Sequence, residues 1–479
     1  MRSDSSLRTA PAIVAGVAAG GFLLVTADRG IVRLGILAVM LLFFVTLTVP
    51  ALKRVLLAIS LLEIPIQVDI YLNYDEVESA TNALSGFNLS ITTVVLVALY
   101  ALWGTELAGG FSRLSPAALR AALPSFVYLA LVTLSLAVAA DTLLALYEIV
   151  LLAQVLLLFF YLLNHVRSRD DLMFVVTILL VGLVAQSLIS MGLKVLGEDL
   201  QIGPVLADID GGRVNGTFGS PNALGGYLSL LMPLGLSLMV ANVGSFHRRL
   251  GGIGLALGSI TLVLTFSRGA WIGFAISTGL VVVVAWQRRW LRGAMAAAMA
   301  AAVLVFLIAF QDEILLRLGE YNNAAAQSRL PLMELASAMI RDRPLLGVGA
   351  NNFAAQLDPY VTVEYSKSWI STVHNKYLLV WAETGILALM AFLVVLAAAV
   401  RSGWRAMTGS DRVTSPVALG LMAGVIANMI HMTVDLFHGR AQVQMLWVVV
   451  ALLLALPQIS QSVPVSREED ADRLITPRT

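Results

Sequence analysis

Long apolar runs, separated by short polar segments, make up most of the 479-residue chain. An α-helix rises about 1.5 Å per residue, so about 20 apolar residues span the roughly 30 Å hydrocarbon layer of a bilayer. The runs lack the alternation of apolar and polar positions over about ten residues that is typical of a membrane β-barrel. The pattern therefore predicts an all-α, polytopic transmembrane helix bundle with about 12–14 spans, judged by run length.

We predict a helix wherever an apolar run is long enough to cross the bilayer, or nearly so. The predicted helices lie near residues 11–27, 34–50, 53–68, 89–104, 122–140, 142–164, 172–195, 222–243, 250–266, 269–287, 293–310, 376–400, 415–436 and 443–460. Two longer polar segments, 196–221 and 311–375, interrupt this series. In the second segment, helical periodicity predicts a helix over 328–341 that lies along the membrane surface. Its expected N-cap and apolar side are formed by Ser328 and by Leu330, Met333, Ala336 and Ile340.

Lysine and arginine residues concentrate in alternate loops, beginning with Lys53 and Arg54. Acidic residues occupy several of the loops between them, as in residues 69–78. Because cytoplasmic loops are rich in Lys and Arg, this alternation predicts that both termini are cytoplasmic and that the two long segments are extracytoplasmic. Arg29 and Arg33 lie on the wrong side for this rule, and Arg440 is a smaller exception near the end of the chain.

Composition supports a membrane protein and narrows its chemistry. Hydrophobic residues make up 58% of the chain and charged residues 13%, against roughly half and a quarter in soluble domains. Mean hydropathy is +0.86. The chain has no cysteine, which excludes disulfides, thiol nucleophiles and thiolate metal sites, and its net charge of +1 does not indicate a nucleic-acid partner. Arg2 and Arg8 precede the first apolar run, and because further spans follow, we predict a retained signal anchor.

Arginines in the outer loops are candidate ligands for an anion. Arg268 lies in the short hairpin Thr265–Gly269, where a charge beside hydrocarbon is costly. It could bind a substrate, or it could simply mark the membrane boundary by snorkelling. Arg329 begins the predicted surface helix, where it could pair with a carboxylate or with phosphates. Arg213 lies near Asp208 and Asp210, and a salt bridge within the loop is the simpler interpretation.

Histidine is scarce, with five in the chain. His374 lies where the long outer segment meets the next helix, and an imidazole with a pKa of about 6.5 suits proton transfer at neutral pH. His431, Asp435 and His438 have the spacing of one helix face and could bind zinc, but no fourth ligand is evident. The segment Asp208–Asp210 could also hold a metal, although a solvated acidic loop is the simpler interpretation. We therefore predict no metal site.

The chain resembles the O-antigen ligase and polymerase family at several stretches from residue 215 onward. These are residues 215–222 (NGTFGSPN), 265–271 (TFSRGAW), Arg329, 344–353 (PLLGVGANNF), 374–378 (HNKYL) and 383–385 (ETG). The resemblance implies a membrane glycosyltransferase that moves a glycan from undecaprenyl pyrophosphate to an acceptor hydroxyl, without a cofactor and with inversion at the anomeric carbon. It implies that Arg268 and Arg329 bind the diphosphate and that His374 is catalytic. Further contacts to substrate are predicted for Arg213, Asn375 and Asp435.

The predicted organisation is N-terminal transmembrane helices over 1–210, a family-like membrane region over 211–460 with its outer segment 311–375, and a cytoplasmic tail over 461–479. The expected location is the bacterial inner membrane, with an extracytoplasmic active site. The expected partners are the lipid-linked donor, a lipid-linked or lipid A core acceptor, and membrane lipids, with no nucleic acid. Polymerase, ligase and protein glycosyltransferase remain open. A secondary transporter or a lipid-linked glycan flippase is the alternative, but the candidate charges cluster at the outer interface rather than at the midplane.

Overall fold

The computed structural model of the protein describes residues 30–49, 51–202, 205–241, 243–312, 329–361 and 371–461. Its helices are α1 (Gly30–Thr48), α2 (Leu52–Ile66), α3 (Glu76–Ala80), α4 (Ile91–Ala108), α5 (Pro116–Leu134), α6 (Thr142–His165), α7 (Arg169–Leu196), α8 (Pro221–Ala241), α9 (Ser245–Leu264), α10 (Arg268–Gln287), α11 (Gly293–Ala309), α12 (Arg329–Asp342), α13 (Lys376–Thr408), α14 (Thr414–His431) and α15 (Arg440–Gln461). Every predicted helix from 34–50 onward is thus present, while 11–27 lies outside the described residues.

The fold class is confirmed as an all-α polytopic bundle. Nine of the described helices are long and apolar enough to cross a membrane, namely α4, α5 with the short turn of 3₁₀-helix after it, α6, α7, α8, α10, α13, α14 and α15. The most buried are α8 and α14, which pack against each other at the centre. A Cβ at Gly424 would overlap the carbonyl of Leu230, so a glycine is what allows these two helices to approach so closely.

Two small antiparallel sheets lie in polar segments between the predicted helices, where the apolar pattern predicts no regular element. β1 (Asp69–Leu72) pairs with β2 (Phe87–Ser90), and β3 (Leu200–Ile202), β4 (Val205–Asp210) and β5 (Arg213–Gly216) form the second sheet. They join other polar segments at what we call the site end of the bundle: residues 67–90, 197–202, 205–220, 371–375 and 432–439.

The opposite end of the bundle, which we call the basic end, brings together loops that the charge pattern predicted to be cytoplasmic. Arg54 pairs with Asp171 at 2.9 Å, and Arg169 pairs with Asp411. Arg288 donates to the carbonyl of Met407 at 2.8 Å. The loops rich in Lys and Arg thus lie at one end of the bundle, as their alternation along the chain predicts. Which end faces the cytoplasm stays a prediction.

Helix α13 is broken at Gly385, and a loop fills the break. Gly385 has φ 81°, outside the helical region, which frees the carbonyls of the preceding turn. The amides of Val348 and Gly349 donate to the carbonyls of Ala382 and Glu383 at 2.9 and 2.8 Å. These two amides belong to residues 344–353, which we call the clamp segment. A side chain at Gly385 would overlap the carbonyl of Leu345 in that segment, so the break requires glycine.

The clamp segment also holds the N-terminal half of the bundle. Asn351 donates to the carbonyls of Leu84 and Leu144 at 2.8 and 3.0 Å and accepts from the amide of Leu84 at 2.8 Å. Asn352 accepts from the amide of Asp141 at 2.8 Å and donates to its carbonyl at 2.9 Å. The motif therefore has a structural role, since its amides join the start of α13 to the loops at the site end.

Two predictions about helices were wrong in part. The buried face of α12 is formed by Leu332, Leu335, Ala336, Met339 and Ile340, whereas Leu330 is 60% exposed. Helix α12 packs onto the start of α13 and the clamp segment, and this contact rather than the simple periodicity decides which side is buried. The expected N-cap, Ser328, lies outside the described residues.

The second error concerns α14, which was predicted to continue to residue 436. It ends at His431, because the amide of Val434 turns back to the carbonyl of His431 at 3.0 Å and Phe437 has φ 50°. Asp435 then accepts a bond from the amide of Phe437 at 3.2 Å. His431, Asp435 and His438 therefore do not share one helix face.

Arg440, an exception to the loop charge rule, is a buried member of an ion-pair cluster. Its guanidinium lies 2.7 Å from a Glu63 carboxylate oxygen and 2.8 Å from an Asp69 oxygen, and it donates to Gln444 at 2.9 Å. Glu63 also accepts from the amides of Val68 and Thr92 at 3.1 and 3.2 Å. The cluster joins α2, β1 and the start of α4 to α15, and it explains why an arginine is tolerated at this position.

Replacing Arg440 by methionine should destabilise the protein strongly. Arg440→Met leaves Glu63 and Asp69 buried without their cation, and removal of one partner of a buried ion pair costs about 3–5 kcal/mol. The thermal unfolding midpoint of the purified protein in detergent measures the effect. Arg401→Met, at an exposed position near the basic end of α13, is the control and should unfold with the wild type. Equal midpoints for Arg440→Met and wild type would show that the cluster is dispensable.

Candidate functional site

A cavity of about 580 Å³ opens at the site end of the bundle. Its wall is formed by segments far apart in the chain, and includes Tyr71, Asn88, Asp208, His374, Asp435 and His438. The volume lies within the range of about 300–1,000 Å³ that is typical of small-ligand sites. The segment before α13 contributes His374 and the 432–439 turn contributes Asp435, so the cavity contains two of the residues predicted from the sequence.

His374 is half-buried on the wall of this cavity, two residues before α13. Its Nδ1 lies 3.0 Å from the carbonyl oxygen of Thr372. A carbonyl can only accept, so Nδ1 carries the proton and Nε2 of the neutral ring is left with a free lone pair. None of the described residues forms a hydrogen bond with Nε2. The ring is thus held in the tautomer that a general base requires.

The surroundings of His374 keep the ring neutral. Burial lowers its pKa from the ordinary value, and the positive charge of Arg329 lowers it further, while the carboxylate of Asp435 and the bond to Thr372 oppose both effects. Since the net shift is downward, the imidazole is unprotonated at neutral pH and able to accept a proton.

Local hydrogen bonds hold His374 and Asp435 on the same wall. The amide of Lys376 donates to the carbonyl of Met432 at 2.9 Å, which joins the start of α13 to the turn after α14. Asn375 caps α13, because its Oδ1 accepts from the amides of Tyr377 and Leu378 at 3.1 Å each. Only the Nδ2 group of Asn375 therefore remains for a contact to substrate.

Asp435 is 5% exposed and is hydrogen-bonded within the turn. Its Oδ2 accepts from Gln442 Nε2 at 2.9 Å in addition to the amide of Phe437. His438 lies on the same cavity wall, and burial, with a contribution from Lys376, lowers its pKa to about 4. Among the described residues, no group of three or more His, Asp or Glu is arranged to hold a metal.

Arg268 is half-buried at the first position of α10, directly after a tight turn in which Phe266 has φ 51°. Within the described part of the chain, its guanidinium has no hydrogen-bond or ion-pair partner. Gly269, the next residue, lies so close to His431 and Val434 that a Cβ there would contact both side chains. Arg268 is therefore placed beside the end of α14.

Arg329, at the first position of α12, approaches the same region from another direction. Its charge acts on both His374 and His431. His431 is thus near Arg329 and also beside Gly269, so the two predicted phosphate-binding arginines converge on the end of α14. Neither arginine lines the cavity itself.

Arg213 supports the turn that carries Arg268. Its Nε donates to the carbonyl of Thr265 at 2.9 Å, and a second guanidinium nitrogen donates to Asn222 Oδ1 at 3.3 Å. These bonds connect β5 to both α8 and the 265–268 turn. Arg213 therefore holds the turn that precedes Arg268.

Several cavity residues were not identified from the sequence. Asn88, Asp69 and Gln442 are isolated polar residues in loops or at helix ends, and nothing in their spacing indicates a shared site. Among these cavity residues, only Arg440 could have been identified from the sequence, since an arginine that breaks the loop charge rule is expected to have a buried partner. The other contacts depend on the packing of segments hundreds of residues apart.

Comparison with known proteins adds one finding. Residues 253–393 match a family model described as O-antigen ligase. The match contains Arg268, Arg329, His374 and the clamp segment, and it leaves out the 215–222 stretch. No curated protein matches the chain. The resemblance noted in the sequence is thereby confirmed over residues 253–393, which match the O-antigen ligase model.

Proposed function

We propose that the protein transfers a glycan from undecaprenyl pyrophosphate to a hydroxyl of a lipid-linked or lipid A core acceptor, at the extracytoplasmic face of a bacterial inner membrane. The family match supports a membrane glycosyltransferase of the O-antigen ligase and polymerase type. The observation that carries the proposal is the geometry of His374, whose Nε2 is free on a cavity wall while Arg329 lies nearby.

In the proposed reaction, the acceptor hydroxyl gives its proton to Nε2 of His374. Its oxygen then forms a bond to the anomeric carbon as the bond from that carbon to the diphosphate oxygen breaks, so the configuration inverts. The leaving diphosphate takes the electron pair and gains negative charge. Arg268 and Arg329 stabilise that charge, because guanidinium groups bind phosphate oxygens bidentately and remain protonated. Such electrostatic stabilisation is usually the largest single contribution to catalysis.

The arrangement favours an enzyme over a transporter. Transporters bind substrate and ions near the middle of the membrane, on broken helices in paired repeats. Here His374, Arg268 and Arg329 meet at one end of the bundle, and the break in α13 is filled by the clamp segment. Polymerase, ligase and protein glycosyltransferase share this chemical step and differ in the acceptor.

The site end should be extracytoplasmic. The native chain has no cysteine, so single substitutions can be labelled without background. Asp358→Cys, at an exposed position after the clamp segment, should react with a membrane-impermeant maleimide in spheroplasts. Ser410→Cys, exposed between α13 and α14, should react only after the membrane is permeabilised. The reverse labelling pattern would invert the proposed topology.

His374→Ala should reduce transfer by about 10²–10⁴-fold, the usual contribution of a general base. For the wild type, the rate should fall only as pH drops through a value below 6.5, because the lowered pKa keeps Nε2 unprotonated above it. Asp435→Asn should move this acid limb to still lower pH, since the carboxylate raises the pKa of His374. Transfer is measured with purified protein, undecaprenyl-pyrophosphate-linked glycan and acceptor.

The control for this experiment is His247→Ala, because His247 lies on α9 and contacts Thr177 away from the cavity. It should retain the wild-type rate and pH profile. Normal turnover by His374→Ala, or an acid limb unaffected by Asp435→Asn, would exclude the general-base role.

Arg268→Ala and Arg329→Ala should each lower the ratio of turnover number to Michaelis constant for the donor, since a hydrogen bond to a charged group contributes about 1.5–3 kcal/mol. Arg268→Lys should be impaired less than Arg268→Ala, because lysine keeps the charge and loses the bidentate geometry. The Michaelis constant for the donor and the turnover number are both measured. Arg343→Ala, an exposed arginine paired with Asp342 in the same region, is the matched control. Equal donor kinetics for Arg268→Ala and Arg343→Ala would contradict the assignment.

A further inference from the structure

Asn88 is a buried amide that forms no hydrogen bond of regular geometry. It lies on β2, is only 8% exposed, and faces the 580 Å³ cavity. Neither Nδ2 nor Oδ1 forms a hydrogen bond of regular geometry, although the side chains of Asp69 and Tyr71 are close enough to interact with the amide. Leaving such a group unsatisfied is unfavourable, so a side chain of this kind on a cavity wall indicates a polar ligand.

A second unsatisfied atom lies on the same wall. Oδ1 of Asp208, on β4, is buried and forms no hydrogen bond of regular geometry, although the side chain of Asn215 interacts with this carboxylate. An amide that can both donate and accept, together with a carboxylate oxygen that accepts, matches a ligand rich in hydroxyl groups. Tyr71, Tyr74 and Tyr147 also line the cavity and offer flat apolar surfaces, which suit the C–H face of a sugar ring.

The charge on the wall is unfavourable for an anion. The lining contains the carboxylates of Asp69, Asp208 and Asp435, and the guanidinium of Arg440 is already bonded to Glu63 and Asp69. A diphosphate or a carboxylated sugar would therefore be repelled. The arginines proposed to bind the donor diphosphate do not line this cavity, whereas His374 does.

We propose that this cavity is the acceptor subsite, that it takes an uncharged sugar ring, and that Asn88 and Asp208 bind the hydroxyl groups of that ring. The ring presents one hydroxyl to Nε2 of His374 from the cavity side, and the donor reaches the same point from the side of Arg268 and Arg329. This inference rests on the proposed function for the roles of donor and acceptor. Acidic sugars, such as hexuronic acids, are excluded from the acceptor position.

The kinetic test compares Asn88→Ala and Asp208→Asn with wild type. Both should raise the Michaelis constant for the acceptor by about tenfold, because one or two hydrogen bonds to it are lost. The Michaelis constant for the donor should stay within about twofold of the wild-type value. Asp208→Asn preserves the shape of the side chain, so misfolding does not explain its effect. Asp210→Asn, exposed on the same strand and absent from the cavity wall, is the matched control and should behave as wild type. Unchanged acceptor kinetics in both cavity variants would overturn the proposal.

A binding test separates this proposal from the proposed reaction. Saturation-transfer NMR on the purified protein uses methyl glycosides of glucose, galactose, mannose and N-acetylglucosamine, with methyl glucuronoside as the acidic probe. At least one uncharged glycoside should receive saturation, the glucuronoside should not, and Asp208→Asn should abolish the signal. If transfer activity is absent but this pattern holds, the proposed reaction fails and the sugar site stands. Absence of signal for every uncharged glycoside, or equal signal for the glucuronoside, would refute the subsite even in an active enzyme.

Discussion

A guanidinium cannot be left unpaired inside an apolar bundle, and the position of Arg440 therefore constrains much of the site end. Its two carboxylate partners come from α2 and β1, and α15 carries the arginine itself. Because the pairing fixes β1, it also fixes β2, which is hydrogen-bonded to β1 along its whole length. The wall of the cavity that carries Asn88 is thus held in place by a charge at the opposite end of the sequence.

The site has a positively charged region on one side of His374 and a cavity with several carboxylates on the other. Arg268 and Arg329 converge on the end of α14, where they create a positive region suited to phosphate. The cavity beyond His374 is lined by carboxylates and neutral groups, together with Arg440, whose charge is paired with Glu63 and Asp69. A reaction between an anionic lipid donor and an uncharged acceptor benefits from this separation, since each substrate is attracted to one side and disfavoured on the other. His374 lies between these two environments, where the proposed reaction would form the new bond.

The sequence predicted the helices well, because long apolar runs leave few alternatives in a membrane. It identified His374, Arg268 and Arg329 as candidates, since charged and titratable residues are scarce at helix ends. It did not identify β1 to β5, which are short and lie in polar segments. It also extended α14 past His431, because apolar composition continues there while the backbone turns. The cavity wall could not be predicted, because Asn88 and Asp208 are brought to the same cavity only by long-range packing.

The contacts of the clamp segment place different demands on the sequence of the two halves of the molecule. On its own side, Gly347, Gly349 and Gly385 leave no room for a side chain, and Asn351 and Asn352 supply the amides. On the N-terminal side, the same bonds end on peptide groups of residues 84, 141 and 144, which every amino acid provides. Substitutions at residues 84 and 144 can therefore accumulate without removing these bonds, whereas Ser135 is restricted, because its Oγ accepts from the amide of Ala350 at 3.0 Å. Sequence change at the peptide-only contacts thus leaves the clamp segment, and with it the start of α13, in the same position.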